Sequence, residues 1–498
     1  MTITTTKLRE SIRRLGTAEL AIGMLFIILA LRAALMTAQV DTFWHLRAGE
    51  DIWRNHRVPM VDTYSFTSGG WPWRDHEWLF QPISYGFYLL GGMPALTLFG
   101  AALAIAGMAV AYRLMVGRPW TKVVLIAFVW LPLLPSAWAL RPQLLSVLAA
   151  PLLLTFLTRE RYWPIPLLFL VWANAHGAVA LGGVLLMAAT ATAFARWRIR
   201  RAPEDRRRAV ALAIVLPLSG LACLATPLGT GMLHFLTESM TRIRAVHIEE
   251  WQNAFGTDQL GIRFWVVAVP FVLLAITRRR ALRDGHASSW TAWVLVTCAV
   301  VLLPLTAAAV RNAGSFALIV AAAASHLIGP DGLRLRAPAA SPQPAPDAVR
   351  GTVNLVILIA MAIAGAGLVA RSYRTGDAEL GWHPIDDRAL AAVRACDGPL
   401  YNHYDEGGYL LWFVPEKPDF VDGRQDPFPL EHVLASLDVE RGRAPYRPLF
   451  DRWGIRCAFL SVHSPTVAAL ERDGWVTRFR DEKYTVLAAP GSSPSADP

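Results

Sequence analysis

Long apolar stretches run through most of this sequence and constrain its fold more than any other feature. A helix needs about 20 predominantly apolar residues to cross a bilayer. Stretches of this kind lie near residues 16–38, 93–116, 121–139, 143–158, 163–177, 178–195, 209–227, 261–277, 289–309, 313–329 and 351–370. We therefore predict an all-α polytopic membrane bundle of about 11 transmembrane helices. Residues 79–92 could add a re-entrant or interfacial helix.

The distribution of charge predicts how such a bundle is oriented. The net charge is +10, and the basic residues cluster in short loops between apolar stretches, as at 206–208 and 278–280. Cytoplasmic loops of membrane proteins carry this excess of Arg and Lys. Counting spans from a cytoplasmic N-terminus places these loops inside and residues 39–78 outside. We expect a bacterial inner-membrane protein whose partner is the lipid bilayer, with no nucleic-acid face.

The chain divides into four predicted parts. Residues 1–329 form the transmembrane bundle, which includes a long outer loop at 39–78. A Pro/Ala-rich cytoplasmic linker at 330–350 precedes a last transmembrane helix at 351–370. Residues 371–498 form a small extracytoplasmic α/β domain, with a helix at 386–395 and strands at 419–422, 457–462 and 484–488. Cys396 and Cys457 in this domain could pair, but their spacing leaves this open.

The outer loop at 39–78 carries the densest group of candidate site residues. Loops of about 40 residues are uncommon and are usually functional or disordered. Asp41 directly follows the first span, where a partly dry environment could raise its basicity. Alternatively, Asp41 is an N-cap for a helix at 44–53, and the loop is an interfacial aromatic belt. The other candidates in this loop are His45, Arg47, Asp62, Trp71, Trp73, Asp75, His76 and Glu77.

Further candidates follow the outer ends of later spans and enter the tail. Arg141 and Arg311 lie on the side where bases are unexpected, and a guanidinium matches the geometry of phosphate oxygens. Ion pairs with outer-loop carboxylates would explain these arginines equally well, and Glu250 could be a solvated loop residue. The remaining candidates are Asn174, His176, Trp251, Asn312, Asp422 and Arg424. Because loops at strand ends commonly bind ligands, the tail residues could cap the outer cavity.

Taken in order, these residues resemble the GT-C superfamily of integral-membrane glycosyltransferases. That superfamily includes dolichyl-phosphate-mannose–protein mannosyltransferases and lipid A aminoarabinose transferases, and the chain looks like a bacterial branch of it. The likeness rests on Asp41-Thr-Phe-Trp-His-Leu, His76-Glu-Trp-Leu79, Trp172-Ala-Asn-Ala-His176-Gly, Pro227-Leu-Gly229, Glu250-Trp251, Arg311-Asn312, Gly407-Gly-Tyr-Leu and Asp422-Gly-Arg424.

The resemblance implies a glycosyltransferase that uses a polyprenyl-phosphate-linked sugar. Asp41 matches the first-loop acid of the family, which serves as catalytic base or metal contact. A divalent metal, Mg²⁺ or Mn²⁺, is implied only weakly, because Thr42 stands where a second acid would follow. The acceptor, whether glycan, lipid or protein, stays open.

A non-enzymatic envelope protein, such as a lipid-linked glycan carrier, flippase or assembly factor, is the alternative. Transporters place ionisable groups near the bilayer midplane, whereas the ionisable candidates here concentrate at the outer ends of spans.

Overall fold

The computed structural model describes residues 10, 12–246, 251–256, 258–284, 288–330, 348–377 and 379–491. It divides into two compact units. The first, the membrane unit, comprises Met1–Met36, Thr97–Cys223 and Glu249–Gly376. The second, the loop–tail unit, comprises Thr37–Leu96, Leu224–Ile248 and Asp377–Pro498. The long first loop therefore folds together with the C-terminal residues.

Helices make up most of the chain. In order they are α1 Thr17–Ala34, α2 Val40–Asn55, α3 Phe80–Leu114, α4 Pro119–Ala137, α5 Gln143–Thr158, α6 Ile165–Ala175, α7 Val179–Arg200, α8 Pro203–Ala222, α9 Gly231–Val246, α10 Gln259–Thr277, α11 Arg279–Asp284, α12 Trp290–Ala308, α13 Ala313–Ile328, α14 Ala348–Thr375, α15 Asp387–Arg394, α16 Gly407–Phe413, α17 Leu430–Glu440, α18 Arg447–Trp453 and α19 Pro465–Arg472.

Each of the eleven predicted apolar stretches falls on one of these helices. In the described part of the chain, seven helices are long and apolar enough to cross a membrane: α1, α3, α4, α7, α10, α12 and α14. The helices α5 and α6 are apolar but shorter. The protein is therefore a multi-pass membrane protein, while the number of spans stays a prediction. The segment predicted at 79–92 is the first part of α3, which breaks at Gly91 and Gly92.

Small residues let the helices of the membrane unit pack closely. A Cβ at Gly107 would lie 2.5 Å from the Val147 carbonyl oxygen, and a Cβ at Gly182 would lie 2.6 Å from the Trp172 ring. The Ala-rich helix α13 is buried at every position from Phe316 to Ala324. Apolar lipid provides no hydrophobic force between helices, so this close backbone packing is what holds such a bundle together.

The loop–tail unit contains a four-stranded mixed sheet. Its strands are β1 Leu400–Asn402, β2 Cys457–Ser461, β3 Val476–Arg480 and β4 Tyr484–Ala488, in the order β1-β2-β4-β3. The first pair is parallel and the others are antiparallel. The predicted helix at 386–395 and two of the predicted strands are confirmed, whereas β1 and β3 were not predicted.

The strand predicted at 419–422 is wrong. Within this segment only Asp419 forms a β-bridge, an isolated one with Ser65 of the first loop. The side-chain amide of Asn402 takes the place of a neighbouring strand, because it accepts from the Phe420 N–H at 2.8 Å and donates to the Val421 carbonyl at 2.7 Å. The apolar residues Phe420 and Val421 are buried, but their backbone groups bond to the Asn402 side chain instead of to a neighbouring strand.

The cysteines separate into two classes. Cys396 and Cys457 form a disulfide that joins the end of the α15 region to β2. Cys223, which directly follows α8, and Cys298, which lies in α12, are free thiols. The predicted linker at 330–350 lies mostly outside the described residues, which resume at 348.

Candidate functional site

Asp41 lies in the first turn of α2. This helix begins at Val40 with Gln39 as its N-cap, and the Gln39 N–H donates to the Thr42 hydroxyl at 3.0 Å. The alternative of Asp41 as the N-cap is therefore wrong. A first-turn carboxylate is instead favoured by the helix dipole. Asp41 is half-buried, and its Oδ1 accepts a hydrogen bond from Trp44 Nε1 at 3.1 Å.

The Asp422-Gly-Arg424 segment lies directly against this carboxylate. A Cβ at position 423 would lie 2.8 Å from Asp41 Oδ1, so glycine permits the approach. Gly408 in α16 faces the Val40 carbonyl oxygen in the same way, at 2.6 Å from its would-be Cβ. The glycines of two sequence motifs are thus explained by the close approach of the tail to the start of α2.

A second group of polar side chains surrounds His45, one turn after Asp41 on α2. His45 Nε2 lies 3.4 Å from Glu77 Oε2, and His76 Nε2 lies 3.6 Å from Glu77 Oε1. Gln81 Nε2 donates to Asp75 Oδ1 at 2.8 Å and lies 3.5 Å from His45 Nδ1. Because the amide donates, His45 Nδ1 is the acceptor and Nε2 carries the proton toward Glu77. Glu77 therefore lies between two imidazoles.

Asp75 is the buried end of this network. Its Oδ1 also accepts from the Glu77 backbone N–H at 3.3 Å, and the residue is 3% exposed. Burial raises the pKa of the Asp75 carboxyl to about 7 against the weaker, opposing effect of these hydrogen bonds. Desolvation of the charged form is the dominant cause. This group therefore changes charge near neutral pH.

Arg424 forms a buried ionic hub between the first loop and the tail. Its guanidinium pairs with Asp422 at 2.6 Å and with Asp62 Oδ1 at 2.7 Å, and all three side chains are fully inaccessible. The Tyr64 and Trp73 rings each lie 4.8 Å from its Cζ. Burial lowers the pKa of Arg424, but the neighbouring carboxylates outweigh it and raise the pKa above the ordinary value.

Two predicted residues of the first loop remain: Arg47, whose guanidinium carbon lies 5.8 Å from the Tyr64 ring centroid, and Trp71. Arg47 pairs with Glu50 at 3.3 Å and with Asp51 at 3.5 Å on its own helix. Trp71 is 51% exposed, whereas Trp73 packs in the cluster with Trp44 and Tyr64.

The membrane unit has a cleft of its own. Its empty volume is about 600 Å³, including the space at its mouth. Three predicted residues line it: His176, Arg311 and Asn312. Trp251 lies beneath Arg311, with the guanidinium carbon 4.3 Å from the ring centroid. The other described lining residues are Ser136, Ala137, Gln143, Ser146, Val147, Ala178, Leu181, Leu260, Val310 and Ser315.

The remaining predicted residues of the membrane unit are placed differently. The Asn174 amide donates to the Leu170 carbonyl of its own helix at 2.8 Å and does not line the cleft. Arg141 precedes α5 and is also absent from the described lining. Glu250 lies outside the described residues.

No metal site can be assembled from the described residues. Nowhere among them do three His, Cys, Asp or Glu side chains come together in a way that could hold an ion. The implied Mg²⁺ or Mn²⁺ therefore lacks a ligand set among these residues.

Several residues of these sites were not predicted from the sequence. Gln81 and Ser146 are single polar residues in apolar stretches, and no other feature of the sequence distinguishes them. Tyr64 looked like a loop aromatic, although its hydroxyl donates to Asp51 at 2.6 Å and its ring supports Arg424. Their roles depend on partners that are distant in the chain.

Comparison with known proteins identifies the fold. No family model matches the sequence, and no curated protein matches it. The oligosaccharyltransferase AglB from Archaeoglobus fulgidus, in complex with an inhibitory peptide and a dolichol-phosphate, aligns with TM-score 0.52 and 10% identity, covering 95% of this chain and 74% of its own. The apo form of the Archaeoglobus fulgidus oligosaccharyltransferase aligns with TM-score 0.55 and 10% identity, and the alignment covers 88% of this chain and 69% of that protein. ArnT from Cupriavidus metallidurans in the apo state aligns with TM-score 0.47 and 15% identity, and the alignment covers 93% of this chain and 97% of ArnT.

The chain is a polytopic membrane protein with a small α/β domain. More particularly, it has the GT-C fold of integral-membrane glycosyltransferases, as the archaeal structures with TM-scores above 0.5 show. The resemblance in the sequence is confirmed at this level. The bacterial branch stays a prediction.

Proposed function

We propose that this protein is a membrane glycosyltransferase that moves a sugar from a polyprenyl-phosphate donor to an acceptor hydroxyl, with Asp41 as the general base. The observation that carries the proposal is the position of Asp41 within a GT-C fold: a half-buried carboxylate at the start of the first-loop helix, lying against the tail. The archaeal neighbour that binds a dolichol-phosphate supports the donor class.

The chemistry requires a base and a leaving phosphate. Asp41 accepts the proton of the acceptor hydroxyl while that oxygen forms a bond to the anomeric carbon of the sugar. The bond between this carbon and the phosphate oxygen breaks, and the polyprenyl phosphate leaves with the electron pair. A base must lie within hydrogen-bond reach of the hydroxyl. Trp44 Nε1, which donates to Oδ1 at 3.1 Å, orients the carboxylate.

The rest of the site supplies binding groups for this reaction. Glu77, fixed by His45 and His76, offers acceptor oxygens for sugar or acceptor hydroxyls. Trp73 and Tyr64 are buried rings that pack beside the Arg424 guanidinium and support the site from within. The role of Glu77 follows from its chemistry, because a carboxylate accepts hydrogen bonds only.

Replacing Asp41 tests the proposal. Asp41→Asn keeps the size and the acceptor for Trp44 but removes the basicity. General-base assistance is worth about 10²–10⁴ in rate, so we expect transfer to fall at least about 100-fold with an unchanged folded yield. The measurement is release of undecaprenyl phosphate from a panel of undecaprenyl-phosphate-linked sugars by the purified chain in lipid nanodiscs.

The matched control is Asp387→Asn, which changes an exposed first-turn acid of α15 in the same unit. It should leave the rate unchanged. Equal rates for Asp41→Asn and the parent chain would remove Asp41 from the mechanism. Movement of the lipid-linked sugar across the membrane without any transfer would favour a carrier or flippase instead.

A further inference from the structure

Gly423 lies where a side chain would press on one particular atom of Asp41. A Cβ at this position would lie 2.8 Å from Asp41 Oδ1, but 3.8 Å from Trp44 Nε1. Non-bonded carbon and oxygen atoms do not approach to 2.8 Å without one of them moving, whereas 3.8 Å is an ordinary van der Waals contact. A methyl group here would therefore displace the carboxylate and leave the indole in place.

The backbone that carries Gly423 is less able to move than the Asp41 side chain. The residues on either side of it, Asp422 and Arg424, form an ion pair at 2.6 Å, and Arg424 also pairs with Asp62 at 2.7 Å. All three charged side chains are inaccessible, and the Arg424 N–H donates to Asp422 Oδ1 at 2.8 Å. Shifting this segment would disturb a buried ionic group, which is costly. A carboxylate at the end of a side chain turns more easily.

The other tail glycine at this contact, Gly408 in α16, has a different role. Its would-be Cβ lies 2.6 Å from the Val40 carbonyl oxygen, which is backbone of α2. A side chain at 408 would therefore push the whole helix, so this glycine allows the elements to pack. At position 423 the atom in the way belongs to the carboxylate itself.

We infer that Gly423 is a positioning residue for Asp41, held in place by the buried hub around Arg424. Its backbone limits the carboxylate to the orientation in which Oδ1 accepts from Trp44 Nε1. The inference rests on the proposed function for the role of Asp41 as the base. It adds a function for the buried ion pairs, because they fix the surface against which the base is oriented.

Gly423→Ala tests this role, because it adds one methyl group at the contact. Residue 423 is not among the glycines with positive φ, so alanine suits its backbone. A displacement of about 1 Å at a catalytic group costs up to about 100-fold in rate. We expect kcat for sugar transfer in nanodiscs to fall about 10- to 100-fold, with KM for the undecaprenyl-phosphate-linked sugar within about threefold of the parent chain.

Gly220→Ala in α8 is the matched control, because a Cβ there would have no described atom within 4 Å. It should leave kcat, KM and the folded yield unchanged. A parent-like kcat for Gly423→Ala would overturn the inference. So would a folded yield below that of Gly220→Ala, because the backbone rather than the carboxylate would then be what moves.

A double-mutant cycle shows whether the effect of Gly423→Ala passes through Asp41. Once Asp41→Asn has removed the base, Gly423→Ala should lower the remaining rate by less than about twofold. A general structural role would lower the rate by the same factor in both backgrounds, and this result would overturn the inference alone. Full activity of Asp41→Asn would instead overturn the proposed function, and the positioning role with it.

A disulfide tests the contact without any turnover. The would-be Cβ of residue 423 lies 4.0 Å from Asp41 Cγ, about where a cysteine sulfur would be. In a background without Cys223 and Cys298, Asp41→Cys should therefore cross-link to Gly423→Cys on mild oxidation, as peptide mass spectrometry would show. Asp41→Cys with Glu471→Cys is the control, because Glu471 faces Arg480 of β3. No cross-link at 423, or equal cross-linking of both pairs, would overturn the inference.

Discussion

Asp75 shows how one buried carboxyl connects the structure of the loop–tail unit to pH. Its pKa is raised to about 7, chiefly by burial, from an ordinary value near 3.8. The folded protein therefore binds this proton more tightly than the unfolded chain does. By linkage, the stability contributed by the group is complete below about pH 4 and is lost as the pH rises through about 7.

Asp75→Asn should remove this loss. The amide oxygen still accepts from Gln81 and from the Glu77 N–H, but it never ionises. At about pH 5 the variant and the parent chain should melt at similar temperatures. At about pH 8.5 the variant should be more stable by a few kcal/mol, because each unit of pKa shift is worth about 1.4 kcal/mol. Melting is followed by Trp fluorescence in detergent.

The control for this experiment is Glu482→Gln, which neutralises an exposed acid near β4. Its melting temperature should differ from that of the parent chain by the same small amount at both pH values. A pH-independent difference for Asp75→Asn would mean that the carboxyl does not titrate in this range.

At the scale of elements, Arg424 determines how the first loop and the tail hold together. Asp62 comes from the loop, Asp422 from the tail, and the two carboxylates share one inaccessible guanidinium. Removing one member of a buried ionic group leaves uncompensated charge, which typically costs about 3–5 kcal/mol. Arg424→Met keeps much of the volume and the contact with the aromatic rings, so it isolates the charge.

We expect Arg424→Met to lower the melting temperature clearly and to expose the first loop to proteolysis. Arg388→Met is the matched control, because Arg388 forms an exposed ion pair with Asp386. Exposed pairs contribute little to stability, so this variant should melt like the parent chain. Similar melting of both variants would show that the hub does not hold the two segments together.

Helices and isolated motifs were predictable from the sequence, whereas pairings distant in the chain were not. The apolar stretches located the membrane helices, because length and hydropathy are local properties. The short apolar stretches at 457–462 and 484–488 located two strands. Asp62 and Arg424 form an ion pair although they lie 362 residues apart in the chain. A local sequence pattern cannot reveal a contact between residues this far apart. The short strand β1 likewise depends on β2, far along the chain, for its backbone partners.

The candidate site followed the same division. Asp41, His45, Glu77 and Arg424 were recognisable as unusual polar residues in their surroundings. Their grouping was not, since Asp62 and Arg424 were predicted as ligand-binding residues and the structure shows them engaged with each other. Gln81 and Ser146 became meaningful only when the structure supplied both of their hydrogen-bond partners.

At the scale of the whole molecule, two independent features predict the same orientation in the membrane. The arginine-rich loops favour the cytoplasmic side. The disulfide between Cys396 and Cys457 indicates that the C-terminal residues fold in an oxidising compartment, because cytosolic thiols are kept reduced. Both features predict that the first loop and the tail lie outside the cytoplasm.

Cysteine labelling in intact bacterial cells tests this orientation. Thr63 in the first loop and Glu204 at the start of α8 are both exposed on the protein surface, so each can present a thiol. In a background without Cys223 and Cys298, Thr63→Cys should react with a membrane-impermeant maleimide, and Glu204→Cys should react only after the cells are lysed. The native disulfide keeps the other two cysteines silent. Reaction at Glu204→Cys in intact cells would invert the topology, and it would place Asp41 on the cytoplasmic side, where a different pool of donors and acceptors is available.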